Sequence, residues 1–171
     1  MRPAPTLRTW LSTVAAERGM PNGLPLVTAF VLLAAGCTQL PVTASVTVPP
    51  IPAGEARIWF YRDNEPYAGK GRPAIAANGG YVGIAELGGA FYRDFPPGHY
   101  HVTVETYGVD FNQTADLDLA AGQQAYVKIV SNPEWARGTL SGYERPTFYA
   151  WHIPNEVAQA AAANLAFYGG N

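Results

Sequence analysis

The chain has 171 residues, a formal net charge of −2 at pH 7 and 14% charged side chains. Typical soluble domains contain about 25% charged residues, so this protein is expected to have a sparsely charged surface. No basic cluster is present in the sequence, which argues against nucleic-acid binding. The single cysteine excludes a disulfide within one chain.

Residues 1–36 are predicted to be a signal peptide. Three arginines precede an apolar run, Leu24–Ala35. A membrane-spanning helix needs roughly 20 apolar residues, so this run is too short to remain in a bilayer as a span. It matches the apolar region of a secretory signal, which has about 7–15 residues. Translation from Met1 and translation from Met20 both remain open.

Cys37 follows the small residues Ala34, Ala35 and Gly36, and this arrangement resembles a bacterial lipobox. A thiol at this place accepts a diacylglycerol, whereas an ordinary secretory signal needs no cysteine. The pattern departs from the lipobox at Ala34, where leucine is usual. In Gram-negative lipoproteins Asp after the cysteine favours inner-membrane retention, so with Thr38 at that position the resemblance implies an outer-membrane lipoprotein that faces the periplasm. A Gram-positive source would place the protein on the outer cell surface. We therefore expect acylated Cys37 to anchor the chain in the lipid bilayer; the alternative is a buried core cysteine.

The next segment, residues 37–55, is predicted to be a Pro/Thr-rich tether. Proline blocks ladder hydrogen bonds and stiffens a chain toward polyproline II. An edge strand at Val42–Val48 is the alternative. Loss of residues 1–36 removes three arginines and one glutamate, which leaves 8 basic and 12 acidic side chains and a net charge of −4.

Residues 56–153 are predicted to form a mainly β domain, a small antiparallel β-sandwich of six to eight short strands. Apolar and polar residues alternate, so five side chains are expected to point inward: Tyr100, Val102, Val104, Leu117 and Leu119. Asn78-Gly79 predicts a type I′ hairpin, because this turn needs positive φ at both central residues. The predicted strands are 56–62, 73–77, 81–87, 91–95, 99–106, 114–119, 125–130 and 147–153.

Residues 154–171 are predicted to form a C-terminal helix and tail. A proline suits the first turn, and the alanine-rich segment through Phe167 suits the helix body. Val157, Ala161 and Leu165 recur at helical spacing. We expect these three side chains to pack the helix on the sandwich.

Four short segments of the predicted sandwich carry a family resemblance. They are Ala56–Arg62, Asn78-Gly79, Phe91–Tyr100 with its Pro-Pro-Gly-His turn, and Leu119–Tyr126. Together they resemble the bacterial family called domain of unknown function 2846. The resemblance implies a fold similar to PEGA-type and prealbumin-like β-sandwiches and a location in the cell envelope. The family brings no known activity or catalytic residues.

Two pairs of polar side chains on predicted strand faces are candidates for chemistry: His99 with His101, and Asp116 with Asp118. The histidines suit a transition metal if Glu105 or His152 adds a third ligand. The aspartates have a spacing that suits a glycosidase. Ordinary exposed strand faces explain both pairs, so we expect no catalytic residue, no metal and no cofactor.

The preferred contact surface is an inserted loop, residues 132–145. It contains Trp135, Arg137, Tyr143 and Arg145. Aromatic residues and arginine dominate binding hot spots, and long loops in small domains are often functional. The alternative is that Trp135 covers one end of the core.

These features predict a lipid-anchored, non-enzymatic β-domain of the cell envelope. It would act as a structural or protein-interaction module, with an envelope protein as partner and no nucleic acid. The alternative is a carbohydrate- or peptidoglycan-binding domain, because the chain contains ten Tyr and four Trp.

Overall fold

Strands dominate the part of the chain that the structure describes. A computed structural model describes residues 39–65, 71–106, 112–134 and 145–170. These residues form nine strands, a 3-10 helix at Thr43–Ser45 and an α-helix, α1, at Asn155–Ala163. The strands are β1 (Ala56–Arg62), β2 (Ala74–Ala77), β3 (Gly80–Ile84), β4 (Gly89–Phe95), β5 (Gly98–Val104), β6 (Ala115–Leu119), β7 (Gln124–Glu134), β8 (Arg145–Ile153) and β9 (Ala166–Phe167).

The strands form two sheets, which confirms the predicted small β-sandwich with a C-terminal helix. The larger sheet has the order β8-β7-β1-β4-β9, and the smaller has the order β3-β2-β5-β6. Most neighbouring strands are antiparallel, but β1 runs parallel to β7 and β4 runs parallel to β9. The larger sheet is therefore mixed rather than purely antiparallel. Strand direction depends on the long connection from β1 to β7, which local sequence patterns do not encode.

One apolar core fills the space between the two sheets. Ile58 and Phe60 of β1 contribute to it from the larger sheet. The Phe60 ring stacks on Phe91 of β4 with 5.2 Å between the ring centroids. The residues predicted to point inward on β5 and β6 are all buried: Tyr100, Val102, Val104, Leu117 and Leu119. Period-two alternation therefore predicted the buried face of the smaller sheet correctly.

A second apolar cluster, the outer aromatic cluster, covers the opposite face of the larger sheet. Trp59, Tyr61, Tyr92 and Tyr126 of the sheet pack there against α1. Because β1 is covered on both faces, all seven of its residues are buried. This burial differs from a half-exposed strand, and it explains why β1 is rich in aromatic residues.

Helix α1 packs on the outer aromatic cluster through small side chains. Ala158 and Ala162 are buried, while Val157 is exposed. The predicted packing face was therefore wrong at Val157, because alanines allow the helix to approach the aromatic rings closely. The helix also ends at Ala163 rather than at Phe167, since Ala166–Phe167 forms β9 beside β4.

The predicted tether differs from the structure, because part of residues 37–55 lies against the domain. The backbone N–H of Phe167 donates to Pro41 O at 2.8 Å, and that of Thr43 donates to Leu165 O at 2.8 Å. Val42 forms an antiparallel bridge with Ala166. The compact unit that contains the sandwich accordingly begins at Leu40. The prolines leave few N–H groups to satisfy, so this segment can lie on a sheet edge without forming a full strand.

The predicted hairpin at Asn78-Gly79 is confirmed. Both residues have positive φ, 49° and 79°, as a type I′ turn requires. The Asn78 amide also donates to His99 O at 2.8 Å and accepts a hydrogen bond from the His101 N–H at 2.8 Å. The hairpin tip is therefore tied to β5.

Candidate functional site

Most of the predicted site residues lie outside the described residues. These are Cys37, Trp135, Arg137 and Tyr143. Arg145 is the first residue of β8, where it pairs with Glu134 of β7. The structure therefore describes the strands that carry the predicted contact loop.

Those strands form a two-stranded extension of the larger sheet, residues 129–134 with 145–150, which we call the hairpin arm. β1 pairs with β7 only as far as Lys128. Beyond Lys128, β7 pairs with β8 through Glu134 and Arg145. The predicted inserted loop is therefore strand at both ends. At about 3.3 Å per residue, the six residues after Lys128 extend β7 by about 20 Å.

Two prolines face each other near the end of the hairpin arm. Pro133 of β7 is the register partner of Pro146 of β8. Proline has no N–H and is found in sheets mainly on edge strands. An unpaired strand edge invites pairing with another chain, and prolines block it. The arm is therefore suited to present its loop rather than to extend the sheet to a partner strand.

A groove of about 340 Å³ runs between α1, residues 43–48 and the outer face of the larger sheet. Trp59 and Tyr126 form its floor, with ring centroids 6.0 Å apart and planes 8° apart. Gln159 and Ala162 of α1 line one wall. Burial raises the pKa of Tyr126, so its hydroxyl stays neutral at ordinary pH.

A buried ion pair closes one part of this groove. The Arg57 Nε–H donates to Asp94 Oδ1 at 2.6 Å, and an Nη2–H donates to Asp94 Oδ2 at 2.8 Å. A third bond runs from Nη1 to Pro49 O at 2.8 Å, and the guanidinium lies 4.0 Å from the centroid of the Tyr92 ring. The side chains of Arg57 and Asp94 are only 3% and 5% exposed. The hydrogen bond with Asp94 raises the pKa of Arg57.

The chemistry of the groove is that of a neutral, partly apolar surface. The charge of Arg57 is compensated by Asp94, and the Trp59 and Tyr126 rings are buried within the fold. The Arg57–Asp94 pair joins β1 to β4 and also holds the backbone at Pro49, so its first role is structural. Sequence reasoning missed this site, because Arg57 and Asp94 become partners only through the β1–β4 register.

An exposed tryptophan lies on the same face of the larger sheet, at the base of the hairpin arm. Trp151 is half-exposed, and its ring centroid lies 6.2 Å from that of Tyr149. Lys128, directly opposite Trp151 on β7, forms ion pairs with Asp63 Oδ2 at 2.7 Å and Glu65 Oε1 at 2.9 Å. Burial lowers the pKa of Lys128, but its bonds to the two carboxylates outweigh this effect and raise the pKa above its ordinary value.

The histidine pair and the aspartate pair, considered separately in the sequence, form one cluster on the outer face of the smaller sheet. The register pairs His99 with Asp118 and His101 with Asp116. His99 Nδ1 lies 2.9 Å from Asp118 Oδ1, and His101 Nδ1 lies 2.8 Å from Asp116 Oδ1. His99 Nε2 lies 3.5 Å from Asp116 Oδ1. We call these four residues the His–Asp cluster. Its contacts run in the order Asp118, His99, Asp116 and His101, with the histidines on β5 and the aspartates on β6.

The His–Asp cluster is exposed to solvent, and its hydrogen bonds shift the pKa values of two of its members. The hydrogen bond with Asp118 raises the pKa of His99, and the bond with His101 lowers the pKa of Asp116. His152, a predicted third metal ligand, lines a shallow groove with Asp116 and Asp118. Across residues 39–65, 71–106, 112–134 and 145–170, no group of three or more His, Cys, Asp or Glu is arranged to hold a metal ion.

Among the described helices, none has the length and apolar character needed to cross a bilayer. Comparison of the chain with known family models finds no match, and comparison with curated proteins finds none. The resemblance to the domain of unknown function 2846 family therefore stays a prediction.

Proposed function

We propose that this chain is a lipid-anchored, non-enzymatic β-domain of the bacterial cell envelope that acts as a structural or protein-interaction module. The observation that carries the proposal is the N-terminal pattern. Basic residues, the short apolar run Leu24–Ala35 and three small residues lead directly to Cys37, the sole cysteine. Thr38 in the next position supports an outer-membrane lipoprotein that faces the periplasm.

The hairpin arm supports the interaction part of the proposal. We expect the paired, proline-containing arm to present residues 135–144, the predicted contact loop. Trp135, Arg137 and Tyr143 in that loop are the residue types that contribute most to protein interfaces. Presenting such a loop on a rigid element lowers the entropy lost on binding.

The anchor is tested on native protein from the membrane fraction. We expect its mass to match a chain that begins at Cys37 and carries acyl groups. The Cys37→Ser variant should leave the membrane fraction or stay unprocessed. An unmodified Cys37 thiol on a chain that retains residues 1–36 would contradict the anchor.

The interaction surface is tested by placing a photo-crosslinking amino acid at position 139 of the loop in living cells. We expect a discrete crosslinked protein that is lost in the Trp135→Ala/Tyr143→Ala double variant. Trp151→Ala is the matched control, because it removes an exposed tryptophan outside the loop. Crosslinks that persist in the double variant would count against this surface.

A second function, binding of carbohydrate or peptidoglycan, is favoured by the exposed Trp151 ring. Trp151 offers an exposed ring opposite Lys128, whose ammonium group is bound to the carboxylates of Asp63 and Glu65. An exposed aromatic ring flanked by polar groups suits a sugar, which has both apolar and hydroxyl faces. Saturable sedimentation with purified peptidoglycan that Trp151→Ala abolishes, and Trp135→Ala leaves intact, would favour this function over the first.

A further inference from the structure

The domain begins very close in the chain to the proposed anchor. Pro41 and Thr43 are already held against the sandwich by hydrogen bonds to Phe167 and Leu165. Only four peptide units separate Cys37 from Pro41. An extended chain spans at most about 3.6 Å per residue, so acylated Cys37 lies within about 14 Å of Pro41. The bilayer surface must then be close to this edge of the domain.

That edge carries a group of exposed apolar side chains, which we call the anchor-side patch. It consists of Leu40, Val42, Leu87 and Tyr168, which are 43%, 47%, 37% and 46% exposed. The bridge from Val42 to Ala166 is antiparallel, which brings Leu40 opposite Tyr168. These residues are therefore neighbours although they are far apart in sequence.

The turn before β4 completes the anchor-side patch. The Ala166 N–H donates to Gly88 O at 2.9 Å, which places Leu87 beside β9. A Cβ built on Gly89 would lie 2.7 Å from the Tyr168 ring, so this ring rests on the start of β4. The charged residues here, Arg72 and Glu86, form an ion pair and neutralise each other.

We propose that the anchor-side patch lies on the phospholipid head-group layer and holds the lipoprotein against the membrane in one orientation. The inference rests on the proposed lipid anchor. Aliphatic side chains and tyrosine suit the boundary between acyl chains and head groups. A tethered surface meets the bilayer at high effective concentration, so four partly exposed side chains suffice without a strong intrinsic affinity.

This orientation places the hairpin arm at the edge of the larger sheet opposite the anchor-side patch. β8 and β9 are the opposite edges of the larger sheet, four strand spacings or about 19 Å apart. The arm leaves the sheet at the end where β4 begins, because β7 is parallel to β1 and β1 is antiparallel to β4. The chain from Val42 back to Leu40 runs toward the other end. The contact loop is thus carried by the edge farthest from the anchor.

The test uses the native acylated lipoprotein in vesicles of phosphatidylethanolamine and phosphatidylglycerol. Nitroxide labels are attached to two single variants, Val42→Cys and Tyr168→Cys. Leu40→Cys replaces Tyr168→Cys if that variant does not fold. Asp118→Cys, on the exposed face of the smaller sheet, is the control. We expect the ratio of collisions with lipid-soluble oxygen to collisions with aqueous nickel to be several-fold higher at the patch than at position 118.

The outcomes separate this proposal from the anchor itself. Mass spectrometry of each labelled variant gives one label if Cys37 is acylated and two if its thiol is free; two labels overturn both proposals. If each variant carries one label and the ratio of oxygen to nickel collisions is the same at all positions, the proposed orientation is overturned, but the proposed lipid anchor is not. A third outcome is that labels on the patch collide less with nickel but not more with oxygen, and that their spectra broaden each other. This outcome would show that a second copy of the chain covers the patch, and it would also overturn the proposed orientation.

Discussion

The buried pair of Arg57 and Asp94 gives the most direct test of the fold. Asp94→Ala leaves the Arg57 guanidinium buried without its carboxylate. Breaking a buried pair by removing one partner costs about 3–5 kcal/mol. Arg57 keeps its bond to Pro49 O and its position over the Tyr92 ring, so we expect the lower end, about 3 kcal/mol.

This loss is large compared with the stability of a single domain. Small domains unfold with free energies of about 5–15 kcal/mol. With a urea dependence of about 2 kcal/mol per M, a loss of about 3 kcal/mol lowers the unfolding midpoint by about 1.5 M. The assay is equilibrium urea unfolding followed by tryptophan fluorescence, since Trp59 packs against Tyr92 beside the pair.

Two variants control the interpretation. Asp118→Ala removes a carboxylate that is largely exposed, and surface changes of this kind stay within about 0.5 kcal/mol. Arg57→Met/Asp94→Leu removes both charges of the buried pair, so it should lose less stability than Asp94→Ala. If Asp94→Ala behaves like Asp118→Ala, or the double variant is the least stable of the three, the reasoning about this pair is refuted.

Three further changes test other parts of the structure. Gly170→Ala would place a Cβ on the Tyr92 ring, so we expect the domain to lose about 1–3 kcal/mol of stability and its thermal midpoint to fall. An unchanged midpoint would show that the tail does not pack there. Thr147→Val removes a buried hydroxyl without a hydrogen-bond partner among the described residues, and should stabilise the domain in urea by about 1 kcal/mol, whereas a loss would indicate that the hydroxyl is satisfied. The pKa of His99 is raised in the folded state, so its stabilising effect is complete below the unfolded value of about 6.5 and disappears as pH rises through the folded pKa. The stability difference between the wild-type protein and His99→Asn should therefore shrink from pH 6 to pH 8, and a difference that grows would contradict the pairing with Asp118.

Predictions from sequence succeeded where one local pattern determined the structure. Alternation on β5 and β6 separated Tyr100 and Leu117, which are buried, from His99 and Asp118, which are exposed. The Asn78-Gly79 turn was predictable because its backbone preference resides in two adjacent residues. These features need no knowledge of what else packs nearby.

Predictions failed where a residue's environment came from distant parts of the chain. Pro133 was predicted to be a loop residue, but it lies in β7 opposite Pro146 of β8, at an edge where a missing N–H costs little. The tether prediction overlooked the edge of β9, which provides partners for Pro41 and Thr43. The His–Asp cluster was seen as two separate pairs, because only the β5–β6 register joins them.

The sequence alone determined the class of fold, the turn positions and the alternating faces, and it predicts an acylated Cys37, since each of these depends on residues within a few positions of one another. Tertiary structure decided which strands run parallel, why β1 is buried on both faces, and which charges meet. Those properties arise from register and layer packing between segments separated by tens of residues. Arg57 and Asp94 illustrate the difference: each reads as an ordinary strand residue, and only strand pairing makes them a buried ion pair.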